Sequence, residues 1–159
     1  LKLNDMIRKM RSFSLIAIFL LLLTGCSIET SDNGKLDGRW QLMEVSYLDG
    51  SNRTVKTKEQ LIFWDIQYKL ISIHSMTGKL HESLTEESLC RFKFTGDSLK
   101  LFDFYRHYRE ADQKIDDPLT TYFQKTGING IKANFAVLHL DSKTMLLQSD
   151  YAKLSFRKF

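Results

Sequence analysis

The chain has 159 residues, 43% hydrophobic, 12% aromatic and 26% charged, with a formal net charge of +4. That length can bury one sizeable core without disulfides, and two cysteines leave little scope for a disulfide framework. Lys2, Arg8, Lys9 and Arg11 against Asp5 carry three of the four positive charges, so the chain from Cys26 onward is nearly neutral, and nucleic-acid binding has no support.

The first element is a leader. Basic Arg8, Lys9 and Arg11 precede an apolar run from Leu15 to Leu23, and small residues follow. As a helix that run would reach roughly 13 Å, well short of a bilayer core of about 30 Å. The order matches a secretory signal over residues 1–25, with Met6 and Met10 as alternative starts. Leu23-Thr24-Gly25-Cys26 resembles the lipobox of bacterial lipoproteins. The resemblance implies a diacylglycerol thioether on Cys26, cleavage before it and acylation of the new amino terminus. At ~0.8 kcal/mol per buried methylene, several chains on one cysteine make a permanent anchor. An ordinary signal peptide with a chance cysteine is the alternative. Residues 26–35 are polar and small and are expected to be a flexible tether.

Strand patterns come next. "WQLMEVSYL" (40–48) is rich in apolar and aromatic residues and ends at Asp49-Gly50. In "QLIFWDIQYKLISIH" (60–74), Ile62, Trp64, Ile66, Tyr68 and Leu70 share one parity, as in a strand with one dry face. This long segment is one bent strand or two. A weak strand is expected near Lys79–Ser83. "SLCRFKF" (88–94) and "SLKLFDFYR" (98–106) flank Thr95-Gly96-Asp97 as a hairpin. Cys90 alternates there with Phe92 and Phe94 and is expected as a buried small hydrophobe. Residues 106–117 form a charged loop, expected as a disordered segment or a lid. Asp117, Pro118 and Gly127 then frame a short helix over 118–125, with Leu119, Tyr122 and Phe123 on one face. "KANFAVLHL" (132–140) and "TMLLQS" (144–149) flank a second hairpin at Asp141-Ser142-Lys143. "AKLSFRKF" (152–159) ends the chain with Leu154, Phe156 and Lys158 on one parity. Seven to nine antiparallel strands must cover their edges or close, and the last strand can pair with the first.

"LDGRWQLMEV" (36–45) resembles the Gly-x-Trp opening of lipocalin and calycin barrels through Gly38, Arg39 and Trp40. The chain from 36 to 159 further resembles lipocalin-like lipoproteins of Gram-negative gut-type bacteria, through "GINGIKANFAVLHLDSKTMLLQS" (127–149) and the terminal "LSFRKF". The resemblance implies an all-β, antiparallel up-and-down barrel of about eight strands with one short helix, over residues 36–159. It implies that Trp40 closes one end and that an arginine of the last strand, Arg157, lies across it. No clear Thr-Asp-Tyr element is present, and the two cysteines make no disulfide.

Chemistry-bearing patterns are few. His74, His81, His107 and His139 lack metal-ligand spacing, and no Gly-x-Ser-x-Gly elbow accompanies any serine. Glu86-Glu87 and Asp116-Asp117 are adjacent carboxylates that point to opposite sides of a strand, which suits solvated loops. The aromatic set Trp64, Tyr68, Phe92, Phe94, Phe102, Phe104 and Phe135 either fills the barrel or lines a ligand cavity. The expectation is a non-catalytic, cofactor-free protein without a metal, held to a membrane by lipid on Cys26 and binding a small apolar or amphipathic ligand. The alternative is a filled barrel that contacts a partner protein and takes no small molecule. An open apolar interior favours the first and a packed one the second. Ser27 after the cysteine carries no aspartate retention signal, which resembles sorting to the outer membrane of a Gram-negative bacterium.

Overall fold

A computed structural model describes residues 30–77 and 87–159. Contacts divide the chain into Leu1–Thr30 and Ser31–Phe159, and the second unit carries all the strands described. The expected signal peptide, Cys26, the strand near Lys79–Ser83, His81 and Glu86 lie outside the described residues.

The strands are β1 (Gly38–Tyr47), β2 (Thr54–Lys56), β3 (Ile62–Gln67), β4 (Leu70–Ser75), β5 (Glu87–Phe94), β6 (Ser98–His107), β7 (Gln113–Lys114), β8 (Ala133–Leu140), β9 (Thr144–Gln148) and β10 (Ala152–Lys158). Eight of them, β1-β3-β4-β5-β6-β8-β9-β10, form an antiparallel meander, and β10 pairs back onto β1 from Trp40↔Lys158 to Tyr47↔Ala152. The ring is a closed eight-stranded barrel, in which the first and last strands cover each other's edges. The two short strands extend ladders where a neighbour diverges. β1 pairs with β3 through Gly38–Gln41 and with β2 through Glu44–Ser46. β6 pairs with β8 through Ser98–Leu101 and with β7 through Tyr105–Arg106.

The long 60–74 segment is two strands. They meet in a two-residue turn at Tyr68 and Lys69, where Tyr68 holds a left-handed φ of 54°. A non-glycine residue adopts that conformation at a cost, and here the preceding chain supports it. The Tyr68 N–H donates to Ser31 Oγ at 2.7 Å, and Asn33 Nδ2 donates to the Tyr68 carbonyl at 2.8 Å. Residues 31–35, expected as the end of a tether, are thus tied to the barrel.

The expected helix over 118–125 does not form. Asp117, Thr121 and Phe123 carbonyls accept from N–H groups three residues on, giving successive turns and a 3-10 turn at Gln124–Thr126. Leu119 is 85% exposed while Phe123 is fully buried, so the supposed apolar face is not shared. Gly127 does end the segment, with φ 79°. The charged loop before it is also partly ordered: β7 pairs with β6, and Ile115 N–H donates to the Phe104 carbonyl at 2.8 Å.

Alternation along the strands points Trp40, Leu42, Ile62, Trp64, Ile66, Ile71, Ile73, Cys90, Phe104, Leu147, Leu154 and Phe156 inward as one continuous core. Asp103 interrupts it with a bulge at φ 51°, so Leu101 and Phe104 face inward while Phe102 pairs with the outward Arg91.

Candidate functional site

One end of the barrel is sealed by Trp40. Its indole N–H donates to the Leu36 carbonyl at 2.8 Å, and both residues are fully buried. The cation across the ring is Lys158, with Nζ 4.6 Å from the ring centroid. It also donates to the carbonyls of Lys35, at 2.9 Å, and Asp37. This corrects the expected Arg157. Lys158 pairs with Trp40 and shares its inward parity, whereas Arg157 pairs with Gln41 and donates to Gln41 Oε1 at 2.9 Å. Gly38 makes room for the lysine: its φ is 117°, and a Cβ there would stand 2.9 Å from Lys158 Cε.

The aromatic set is split by the structure. Trp64, Phe104 and Phe135 are in the core, and Phe92 is buried beside them. The Trp64 ring packs on Phe156 at 4.9 Å and on Phe135 at 6.2 Å between centroids. Phe94 packs on the core from a half-buried position. Tyr68 lies in the exposed β3–β4 turn, 43% accessible. Phe102 leaves the interior through the bulge at Asp103. The interior is filled by side chains: Trp40, Trp64, Phe104, Phe123, Leu147 and Leu154 have no accessible surface.

The opposite end is closed by the segment 115–131. Phe123 packs at a tilt on Phe104 with ring centroids 4.6 Å apart, and Tyr122 meets Phe123 edge-on at 4.9 Å. The Arg106 guanidinium stands 4.5 Å over the Tyr122 ring. Tyr47 Oη donates to the Gln124 carbonyl at 2.9 Å. Gly127 sits so near the wall that a Cβ would fall 2.2 Å from Leu154 Cδ2 and 3.2 Å from Val45 Cγ1. A closed meander with one end sealed by a Gly-x-Trp strand is the arrangement of a lipocalin-type barrel, and the model of the lipocalin-like domain family matches residues 21–159.

The chain belongs to the lipocalin-like domain family. A lipocalin-like protein from Bacteroides uniformis has the same fold, with a TM-score of 0.54 and 22% identity, covering 79% of this chain and all of that one. An uncharacterized protein from Bacteroides eggerthii superposes with a TM-score of 0.52 and 20% identity, covering 77% of this chain and 98% of that one. Among curated proteins none matches.

In this lipocalin-like barrel most buried polar side chains are matched. Gln41 Nε2 donates to the Lys58 carbonyl at 3.1 Å, Thr57 Oγ1 to Leu42 at 2.7 Å and Thr126 Oγ1 to Phe123 at 2.7 Å. Among the described residues, Trp64 Nε1 and Ser88 Oγ are buried without a hydrogen-bond partner. An unmatched buried donor or hydroxyl costs about 1–3 kcal/mol. Sequence reasoning misses Ser88 because a serine on a strand carries no signal of its own. Its parity with Cys90 and Phe92, however, already places it on the inner face.

On the outer face of β3–β5, Ser72 Oγ lies 3.5 Å from His74 Nδ1 and donates to the Glu87 carboxylate, and His74 Nδ1 stands 3.8 Å from Asp65 Oδ2. Burial pushes the Cys90 thiol far above its ordinary range, so it is a core residue rather than a nucleophile. Among the described residues no three His, Cys, Asp or Glu side chains gather as a metal would need. A cleft of about 470 Å³ between Tyr108 and Gln113, and one of about 420 Å³ beside Glu44 and Lys56, are lined by none of the aromatic set.

Proposed function

We propose that this chain is a membrane-anchored, non-catalytic lipocalin-like protein that holds a small apolar or amphipathic molecule in its barrel. The molecule would enter at the end covered by residues 115–131. The observation that carries this is the unequal closure of the two ends. The Trp40 end is built on the ladder itself, with Lys158 and Trp40 opposite each other on β10 and β1. The other end is covered by a segment of turns, which rests on Phe104, Tyr47 and Arg106 mainly through side chains. Segments with few backbone ladder bonds open at lower free energy than core strands. Phe123 then occupies, in the closed state, the aromatic space a ligand would take.

Lipid on Cys26 would supply the anchor, and the basic, apolar and small-residue order of positions 8–26 supports it. Outer-membrane residence rests on Ser27 alone. The test is native mass spectrometry of protein extracted from its own membrane, which reads acylation and retained ligand together. The expected spectrum shows an acylated chain starting at Cys26 and a stoichiometric small-molecule adduct. An unmodified chain without an adduct refutes both parts.

A second reading, a filled barrel that only meets a partner protein, is favoured by the complete burial of the interior aromatics. It requires the 115–131 segment to stay closed on the timescale of the native state.

A further inference from the structure

We propose that the barrel interior recognises a carboxylate, held by the Trp64 indole and the Ser88 hydroxyl with Arg106 at the mouth. This rests on the ligand-binding function proposed for the barrel and names its chemistry. Trp64, Ile73, Ser88 and Arg106 lie on one row across four neighbouring strands, through the pairs Trp64↔Ile73, Ile73↔Ser88 and Ser88↔Arg106. Pairs directly opposite in antiparallel strands share a face, and that face is the interior, since Trp64, Ile73 and Ser88 are all fully buried.

Two of the four carry the unmatched polar atoms. Elsewhere in the barrel the pattern is the reverse. The other tryptophan, Trp40, has its N–H matched to Leu36 at 2.8 Å, and buried Gln41, Thr57 and Thr126 all have partners. Among the described residues, unmatched buried side-chain polarity is confined to this row. Native proteins rarely leave such groups unmatched without a ligand, a water or a functional reason.

The chemistry of the row selects the ligand. An indole N–H only donates, a serine hydroxyl can donate, and a guanidinium only donates. A carboxylate, which only accepts, complements all three, and an alcohol complements them less well. The remaining wall is apolar, with Phe104, Phe135 and Phe156, so the acid would carry a hydrocarbon body. Room for it comes from withdrawal of Phe123 from Phe104, two residues before Arg106 on β6.

The test uses the full chain in phosphatidylcholine nanodiscs with 15N-labelled tryptophan, titrated with decanoate and, separately, decanol. Decanoate is expected to shift the Trp64 indole resonance and leave that of Trp40 in place. Decanol, and decanoate with Ser88→Ala, are each expected to bind about ten-fold more weakly. Ser88→Ala removes an unmatched hydroxyl, so its melting temperature should stay level or rise, which separates weakened binding from misfolding. Equal binding of decanol and decanoate, unaffected by Ser88→Ala, overturns the carboxylate assignment and leaves ligand binding intact. No shift of either indole at saturation overturns both. A Trp64 N–H contact to a bound water that neither probe displaces also overturns the assignment.

Discussion

Lys158 Nζ stands 4.6 Å over the Trp40 ring and donates to the carbonyls of Lys35 and Asp37, so one ammonium joins the last strand, the first strand and the segment before it. A cation over an indole face contributes about 0.5–2 kcal/mol according to its desolvation. Lys158→Met should therefore lower stability by about 1–2 kcal/mol, or roughly 3–8 °C in a thermal melt. Lys93→Met, at an exposed position of β5, should cost no more than about 0.5 kcal/mol. Equal losses for the two variants would show that the contact over Trp40 does not hold the end closed.

Gly127 combines a left-handed φ of 79° with close approach to Leu154 and Val45. Gly127→Ala forces both a disfavoured backbone and a shift of the Leu154 side chain, at a cost of about 1–3 kcal/mol. A urea titration should show a lower midpoint with an unchanged slope, because the surface exposed on unfolding is the same. A wild-type midpoint would mean that the segment 115–131 does not seat against β1 and β10.

The Tyr47 phenol is raised above its ordinary value, first by burial and also by Asp49, with Arg53 opposing. The folded value exceeds the unfolded one of about 10. The stability contributed by the neutral phenol is thus fully present below pH ~10 and lost as pH rises through the folded value. The phenolate cannot donate to the Gln124 carbonyl, which ends the 2.9 Å bond to the capping segment. Melting temperature against pH should fall more steeply above pH ~10 in the wild type than in Tyr47→Phe. Parallel curves would show that this hydroxyl does not couple the cap to the barrel.

Much of the barrel was legible because period-two alternation and turn residues are local signals. Gly38 and Trp40 marked the closed end, and both short hairpin loops were visible. At the second, Asp141 Oδ1 accepts from the N–H groups of Lys143 and Thr144 at 2.7 and 2.6 Å. The turn at Tyr68 was ambiguous because it has neither glycine nor proline and depends on Ser31 and Asn33, far away in sequence. The outward turn of Phe102 depends on a bulge at Asp103 that no local pattern announces. The false helix at 118–125 had sound end signals, but tertiary packing overrode them: Phe123 enters the barrel while Leu119 stays in water. For the cation over Trp40, parity along β10 already grouped Lys158 with Leu154 and Phe156, and it proved a better guide than the family's arginine. The unmatched Ser88 was not legible, since the lack of a partner is a three-dimensional property.

Hydrogen–deuterium exchange of the intact chain bears most directly on whether the barrel interior can be reached. Amides of Thr126, Gly127 and Ile128, bonded within the capping segment, should exchange at least about ten-fold faster than the β1 and β10 ladder amides, through openings that leave the barrel folded. Exchange of cap and ladder at one common rate, set by global unfolding, would mean a permanently sealed interior and would contradict a ligand-holding role.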